Sequence, residues 1–374
     1  MADLSGESGI IVIKIGSSTL VNASGGVDRD FIADLCAQVV SLRGQGLKVV
    51  IVSSGAAAAG MERLGFASRP SDIPSLQACA ACGQAALTEV YAAVLAQHGI
   101  PCGQVLLTRR DVVDREGYLN ARNTLERLLD LGVVPVVNEN DTVSVAEFAF
   151  GDNDMLGAIV ATLIGADLYV IMSDIDGLYD ANPATNPTAK LISRVERIDA
   201  DVMRMAGGSG SAVGTGGMTT KLVAARALLA AGITTVICQG RKANVLAEVV
   251  GGKSVGTRFE PPAGSSHESP RKFWIGLAEV PQGTLTLDEG ACAAVVKRGA
   301  SVLPVGVIAT DGTYAAGDVV NVITPDGSLI GRGTVRYSSD EMVRVRGLKL
   351  DVIARFMPEK EGQPAIHRDE LLVF

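Results

Sequence analysis

The feature that most constrains this chain is an alternation of wholly apolar, strand-length segments with helix-length segments from residue 9 to about residue 258. The first apolar segment, Ile10 to Ile13, leads into Gly16, and the second, Val49 to Val52, leads into Ser53-Ser54-Gly55. A strand that is apolar on both faces is buried on both faces. Strands connected through helices lie parallel, with the helices covering the sheet. We therefore predict an α/β fold with a mostly parallel central sheet sandwiched by helices.

A second region with a different rhythm follows a segment rich in proline, glycine and serine, Glu260 to Pro270, which has the composition of a linker. Beyond it, short alternating segments punctuated by glycine predict strands, with Met342–Arg346 among them, and Asp288–Lys297 predicts one helix. These patterns indicate a small mixed β-barrel-like domain. The predicted division is a first domain at 1–260, a linker at 261–274 and a second domain at 275–374.

Charge and apolar content exclude some classes of protein. The 33 Lys and Arg residues against 41 Asp and Glu give a net charge of −8, which argues against a protein that coats nucleic acid or an anionic membrane. The best candidate for a membrane span, Met155–Ala166, is about half of the ~20 residues required. The amino terminus has no signal-like segment. We expect a cytoplasmic protein with no membrane partner.

Polar residues follow several of the predicted strands. In a parallel sheet, ligands bind at the carboxyl ends of the strands, so side chains that follow different strands meet at one edge. Lys14 is unusual because a lysine inside an apolar strand costs free energy unless a partner meets it. It either extends past the strand end into solvent along its apolar stem or points into the crevice to meet an anion.

A glycine-rich segment, residues 207–217, opens into a predicted helix that contains Lys221 in its first turn. Glycines allow backbone N–H groups to form an anion-binding nest, and a helix amino terminus adds partial positive charge. The segment lacks the G-x-x-x-x-G-K-[ST] pattern of a P-loop and the G-x-G-x-x-G pattern of dinucleotide-binding proteins. A nucleotide-phosphate site and a mobile glycine linker both fit this segment.

Two carboxylates and an amide, Asp152, Asn153 and Asp154, precede another predicted helix. One of the three is explained as a helix N-cap. All three together, with Asp141 nearby in the chain, suit the binding of an ammonium group or the alignment of lysines. Only three histidines are present, so we expect neither a Ser-His-Asp triad nor a histidine-based zinc site. Positioning and charge stabilisation are left, as in phosphoryl transfer.

Six segments occur in an order that resembles the amino-acid kinase superfamily. Within that superfamily the match is closest to the branch that phosphorylates the γ-carboxylate of glutamate, and the last hundred residues resemble a PUA domain. The segments are Lys14–Ser18, Val52–Ala56, Asn138–Val143, Phe150–Asp154, Ser173–Tyr179 and Gly214–Lys221.

The resemblance implies a role for each matching residue. Lys14 and Lys221 would stabilise charge on the transferring γ-phosphoryl group, and Asp154 would align them. The residues implied to bind glutamate are Ser54, Asn138, Asp141, Asp152 and Asn153. The residues implied to bind ATP are Lys14, Gly16, Ser173, Asp174, Thr215, Gly216, Gly217, Met218, Thr219, Thr220 and Lys221.

The resemblance also implies the reaction and its partners. ATP would arrive with Mg²⁺ held by phosphate oxygens and water, without a metal-ligand set from the protein. L-glutamate would be converted to an acyl phosphate, the first step of proline synthesis. Further implications are feedback inhibition by proline, a homo-oligomer, and glutamyl phosphate reductase as the recipient of the product.

Two alternatives remain at this point. One is another kinase of the superfamily, acting on acetylglutamate, aspartate or UMP. The other is an RNA-binding regulator that acts through the PUA-like domain, whose basic residues include Arg332, Arg336, Arg344 and Arg346. Against the second, those residues are interspersed with Asp and Glu, as on an ordinary solvated face.

Overall fold

A computed structural model describes residues 9–22, 25–113, 115–144, 153–206, 217–261 and 281–373. The chain divides into two compact units, Met1–Ser265 and Ser266–Phe374. Apart from Pro261, the linker predicted at 261–274 lies outside the described residues.

Eight strands of the described chain form one sheet in the first unit. Every neighbouring pair is parallel except β7 and β8, which confirms the predicted α/β fold with a mostly parallel sheet. The strand order is β3-β4-β2-β1-β5-β7-β8-β6. The strands are β1 (Ile10–Ile15), β2 (Lys48–Val52), β3 (Cys102–Leu107), β4 (Val134–Glu139), β5 (Leu168–Ser173), β6 (Arg194–Val195), β7 (Thr234–Gln239) and β8 (Thr257–Phe259).

Helices connect these strands. Two of them begin at aspartate N-caps: the Asp28 carboxylate accepts from Phe31 N at 3.0 Å and the Asp72 carboxylate from Ser75 N at 2.8 Å. The helices are α1 (Ser17–Leu20), α2 (Arg29–Gly44), α3 (Ala56–Leu64), α4 (Ile73–Ala96), α5 (Arg109–Val113), α6 (Arg115–Asp130), α7 (Asn153–Leu163), α8 (Ala200–Ala206), α9 (Met218–Ala230) and α10 (Val245–Val250).

The central strand β1 shows why the sequence contains a lysine there. Ile11, Ile13 and Ile15 are fully buried and belong to the core that α2, α4 and α10 complete. Alternate residues of a strand point to opposite faces, so Lys14 lies on the other face, where it meets α7. β1 is therefore buried on both faces, and the charged residue Lys14 occupies one of its buried positions.

Helices α3 and α4 pack with their backbones in contact. A Cβ atom on Gly60 would lie 1.7 Å from the carbonyl oxygen of Cys79, and one on Gly83 would lie 1.8 Å from that of Ala56. Only glycine permits this approach. α3 itself was not predicted, although four alanines between Gly55 and Gly65 are a helix signal.

By length and composition, α4 is the one helix of the described residues that could cross a membrane. It has 24 residues, so Met155–Ala166 was the wrong choice as the best candidate, since α7 has only 11 residues. The close packing of α4 on α3 is typical of a helix inside a domain. That packing buries part of the helix, including Cys79, Gly83 and Leu87.

The second unit contains a mixed sheet with the order β10-β9-β11-β12-β13. β11 and β9 are parallel, and the other neighbours are antiparallel. Its elements are β9 (Gly283–Leu287), α11 (Glu289–Arg298), β10 (Val307–Gly312), β11 (Val319–Ile323), β12 (Leu329–Val335), α12 (Ser339–Val345), α13 (Leu350–Ile353) and β13 (Ile366–Val373), with 3₁₀ turns at Pro304–Gly306 and Pro358–Lys360.

The strand predicted at Met342–Arg346 was wrong, because this segment lies mostly in helix α12. Ser338 forms a capping box: its hydroxyl accepts from Glu341 N at 3.3 Å, and the Glu341 carboxylate accepts from Ser338 N at 2.8 Å. Met342 and Val345, three residues apart, are buried, whereas Val343 is exposed. The buried residues of this segment therefore have the spacing of a helix face, not the two-residue spacing of a strand.

Gly83→Ala tests the contact between α3 and α4. We expect it to lower the free energy of unfolding of the first unit by at least about 2 kcal/mol, since the added methyl must displace the α3 backbone. The control is Gly44→Ala in α2, where a Cβ meets nothing within 4 Å and the change should stay within about 0.5 kcal/mol. Calorimetric unfolding of both variants checks the prediction, and equal midpoints would contradict it.

Candidate active site

A cavity of about 660 Å³ opens at the carboxyl ends of β1, β2, β4 and β5. Because these strands are parallel, the polar residues that follow them arrive at one edge. The described lining consists of Lys14, Gly16, Ser17, Ser18, Ser54, Gly55, Ala56, Ala57, Ala58, Arg69, Asn138, Glu139, Asp141, Asn153, Ser173, Asp174 and Lys221. Nine of the residues singled out from the sequence are thus brought together: Lys14, Gly16, Ser54, Asn138, Asp141, Asn153, Ser173, Asp174 and Lys221.

At the base of the cavity, two buried lysines share one buried carboxylate. Lys14 Nζ lies 2.5 Å from Asp154 Oδ1, and Lys221 Nζ lies 3.1 Å from Asp154 Oδ2. Asp154 is completely buried, and the lysines are 1 % and 6 % exposed. Taken alone, these three side chains carry a net charge of +1. The arrangement places two ammonium groups, spaced by one carboxylate, where an anion that enters the cavity would meet them.

Neighbouring groups fix the position of Asp154 at the start of α7. Tyr169 OH donates to the Asp154 carbonyl at 2.9 Å, and the Thr220 hydroxyl donates to Asp154 Oδ2 at 2.9 Å. A Cβ on Gly157 would lie 2.3 Å from Tyr169 OH, so the glycine one turn along α7 makes room for this tyrosine. The carboxylate is therefore held from both its backbone and its side chain.

Asn153, the residue before Asp154, organises a second network. Its Nδ2 lies 2.6 Å from Ser53 O, 3.0 Å from Ser54 Oγ and 2.8 Å from Asn138 Oδ1. An amide nitrogen has two hydrogens, so it serves two of these three acceptors at a time. Asn138 is held in turn by Gln84, whose Oε1 accepts from Asn138 Nδ2 at 2.7 Å. The wall formed by β2, β4 and α7 is thus cross-linked by amides.

Asp141 lies in the turn after β4, beside Glu139 and within electrostatic range of Arg69. Burial, with a smaller contribution from the Glu139 charge, raises the pKa of Asp141 to about 6, while Arg69 opposes the rise. A carboxylate whose ionisation is opposed by burial gains from a cationic ligand. The wall therefore offers a site for an ammonium group.

Gly55 joins β2 to α3 with a φ of +86°, a left-handed conformation that favours glycine. The turn brings the first residues of α3, Ala56 to Ala58, into the cavity lining. Backbone N–H groups in the first turn of a helix have no partner within the helix. Gly16 differs, because its φ of −69° is open to any residue and a Cβ there would make only ordinary contacts at 3.6 Å or more. Its missing side chain leaves space for a ligand.

The opposite side of the cavity is formed by Ser173 and Asp174, after β5. Ser173 is buried, and its hydroxyl donates to Asp174 Oδ1 at 3.1 Å, while Gln239 Nε2 donates to the Asp174 carbonyl at 2.8 Å. Asp174 is exposed. Gly217, Met218 and Thr219 begin α9 but are not part of the described lining. Of the predicted site residues, Asp152, Thr215 and Gly216 lie outside the described residues.

Sequence reasoning missed several residues at the site. Arg69 and Glu139 line the cavity, and Arg241 supports it by donating to Thr19 O at 2.9 Å and to Asp28 Oδ2 at 2.7 Å. Arg241 also lies over the Phe31 ring, 5.3 Å from its centroid. Glu139 was adjacent to a predicted residue and could have been found, whereas nothing local distinguishes Arg69 or Arg241.

The described residues offer no ready-made set of ligands for a metal ion. No group of three His, Cys, Asp or Glu side chains within the described ranges could hold one. Asp154 is already shared by two lysines. Mg²⁺ prefers to keep several waters and to bind through phosphates, so the residues present fit a metal that enters with a nucleotide rather than a resident ion.

Comparison with known proteins identifies the relatives of the chain. The model of the amino acid kinase family matches residues 9–239, and that of the PUA domain matches residues 283–357. Glutamate 5-kinase from Geobacter sulfurreducens is 46 % identical over 363 residues, 97 % of each chain. Glutamate 5-kinase from Syntrophotalea carbinolica is 44 % identical over 371 residues, 99 % of each. A UMP kinase structure from Bacillus anthracis has a TM-score of 0.47 at 16 % identity, over 68 % of this chain and 96 % of that one.

Asp141→Asn should reveal the cost of the ionised carboxylate. Above about pH 6, Asp141 is ionised in both the folded and the unfolded protein, but only the folded protein bears the cost of burying the charge. We expect the variant to gain about 1–2 kcal/mol in free energy of unfolding at pH 8. The gain should shrink as the pH falls through about 6 and vanish below the ordinary pKa of 3.8, where both states are protonated. Urea unfolding against pH measures this.

The control for this prediction is Asp30→Asn, an exposed aspartate in the first turn of α2. It should show no such gain at pH 8. A gain from Asp141→Asn that did not change with pH would mean that ionisation is not its cause.

Proposed function

The chain belongs to the amino acid kinase family, among its glutamate 5-kinases, and we propose that it transfers the γ-phosphoryl group of ATP to the γ-carboxylate of L-glutamate. The observation that carries this proposal is the pair of buried lysines, Lys14 and Lys221, held by Asp154 at the base of a polar cavity. The relatives named glutamate 5-kinase, which the chain matches over 97–99 % of its length, support the substrate.

Phosphoryl transfer needs positioning and charge stabilisation more than covalent help from the protein. A γ-carboxylate oxygen attacks the γ-phosphorus, the bond to the bridging oxygen breaks, and ADP leaves with that oxygen. The product is an acyl phosphate. The carboxylate is ionised at pH 7, so the step requires no general base. Lys14 and Lys221 stabilise the negative charge on the transferring group.

The substrate-binding wall fits the acceptor. Asp141 faces the α-ammonium group of glutamate, and the amide of Asn153 with the Ser54 hydroxyl orients the rest of the molecule. Asn138 holds Asn153 in place. We extend the same role to Asp152, which neighbours Asn153 in the chain. Residues of this wall and the two lysines line one cavity, so an acceptor bound at the wall can reach the lysines with its γ-carboxylate.

ATP occupies the other side in this proposal. Ser173, Asp174 and Gly16 border the nucleotide, and the segment Thr215–Thr220 leading to Lys221 covers its phosphates. Mg²⁺ arriving with the nucleotide would offset phosphate charge, without a ligand set from the protein. Asp154 holds the two ammonium groups through its two carboxylate oxygens.

The family relationship supports further proposals that the cavity does not address. These are the domain division at 1–260, 261–274 and 275–374, a cytoplasmic homo-oligomer, inhibition by proline, and delivery of the product to glutamyl phosphate reductase. The RNA-binding alternative is not favoured: Arg336 of the second unit pairs with Glu370 at 3.2 Å, and Arg332 donates to Asn321 at 2.9 Å.

Trapping of the acyl phosphate with hydroxylamine tests the proposed function. With ATP and Mg²⁺ present, we expect hydroxamate from L-glutamate, and none from N-acetylglutamate, aspartate or a blank. ADP release with UMP as acceptor is measured in parallel. Hydroxamate from another acid would keep the transfer chemistry and overturn the substrate. Release of ADP with UMP alone would overturn both the acceptor and the acyl phosphate.

Lys221→Met removes one of the two cations and leaves the neutral pair of Lys14 with Asp154. We expect kcat to fall roughly a hundred-fold or more, with little change in the KM values, because the lost interaction is strongest in the transition state. Lys190→Met, at an exposed lysine remote from the cavity lining, is the matched control. Near-normal kcat in Lys221→Met would remove this lysine from the transfer step.

A further inference from the structure

Arg69 lies in the short connection between α3 and α4, residues 65–72. Its side chain lines the same cavity as Asp141 and the two lysines, although it is exposed to solvent. Within the described chain, no hydrogen bond or ion pair holds the Arg69 guanidinium. A cation at the mouth of an enzyme cavity, close to a carboxylate but not bound to it, has its donors available for a ligand.

Arg69 is not committed to Asp141, because no hydrogen bond or ion pair joins these two described residues. Arg69 lowers the pKa of Asp141, yet burial outweighs this effect and the pKa is raised. A bidentate arginine partner would have brought the pKa of the carboxyl below its ordinary value. The two groups thus influence each other, are of opposite charge and are not paired with each other.

We propose that Arg69 binds the α-carboxylate of the amino-acid substrate and thereby restricts the cavity to acceptors that carry both an α-ammonium and an α-carboxylate group. This inference rests on the proposed function. One carbon atom of an α-amino acid bears both charges, and the neighbouring Asp141 and Arg69 present the complementary pair. The guanidinium fork matches a carboxylate with two parallel hydrogen bonds.

The other cations of the cavity are engaged elsewhere. Lys14 and Lys221 are held by Asp154 at the base, where the reacting γ-carboxylate and the phosphoryl group meet. The substrate would therefore lie with its amino-acid end between Asp141 and Arg69 and its γ-carboxylate toward the lysines. Each charged group of the substrate would then face a group of opposite charge: the ammonium faces Asp141, the α-carboxylate faces Arg69 and the γ-carboxylate faces the lysines.

The test compares two acceptors in three variants. The acceptors are L-glutamate and its α-amide, isoglutamine, which keeps the γ-carboxylate and the ammonium but lacks the α-carboxylate charge. The variants are Arg69→Gln, Arg69→Lys and, as the matched control, Arg63→Gln, an exposed arginine in the last turn of α3 that is not in the cavity lining. Hydroxamate formation gives kcat and KM for each pair.

We expect Arg69→Gln to raise the KM for glutamate roughly ten- to a hundred-fold, as for loss of a charged hydrogen-bonding partner, with kcat and the KM for ATP within two-fold. For isoglutamine, kcat/KM should be the same in Arg69→Gln as in the wild type. Arg69→Lys should have a KM for glutamate between those of Arg69→Gln and the wild type, since lysine restores the charge but not the paired donors of the guanidinium. Arg63→Gln should match the wild type.

Other results would overturn the inference in distinguishable ways. An equal loss on both acceptors would mean that Arg69 acts through Asp141 or the loop rather than on the α-carboxylate. A raised KM for ATP would make it a nucleotide residue. Unchanged glutamate kinetics in Arg69→Gln would mean that Arg69 does not bind the α-carboxylate, and the backbone N–H groups at the start of α3 would be the remaining candidates. A wild-type enzyme inactive with glutamate would overturn the proposed function, and this inference with it.

Discussion

The shared carboxylate of Asp154 is the interaction on which the rest of the first unit depends. Lys14 comes from the central strand β1, Asp154 from the start of α7 and Lys221 from the start of α9. Burying these charges is expensive, and pairing them rarely recovers more than the cost of desolvation. These buried charges therefore contribute little to the free energy of unfolding. Their presence in the core is explained by what the two ammonium groups do for a ligand, and the fold is organised to keep all three aligned.

Two adjacent residues of α7 divide the site into its two functions. Asp154 faces the lysines at the base, and Asn153 faces the wall made by Ser54 and Asn138. Consecutive residues at a helix start point in different directions, so one helix terminus sets the distance between the transfer chemistry and the acceptor wall. Tyr169 fixes this terminus through the Asp154 carbonyl. A displacement of α7 would therefore disturb both functions together.

The sequence permitted prediction of the parallel sheet, because segments such as Val49–Val52 have no polar face and must be covered on both sides. Lys14 stood out for the same reason. The strand order could not be predicted, since pairing of β1 with both β2 and β5 depends on contacts far apart in the chain. Helix α12 was taken for a strand because alternation over five residues does not distinguish the two periods. Arg69 carried no signal, since an arginine in a polar loop is ordinary until the fold brings it to the cavity.

The backbone contact between α3 and α4, at Gly60 and Gly83, separates what can vary in this site from what cannot. No side chains lie between the two helices at these points, so no repacking can shift α3, whose amino terminus borders the cavity. The connection between them, residues 65–72, is free of that constraint. With the role proposed for Arg69, substitutions in this connection would alter which acceptor is admitted while the lysines and their carboxylate keep their positions. Acceptor selectivity could then change at this connection without a change at α7.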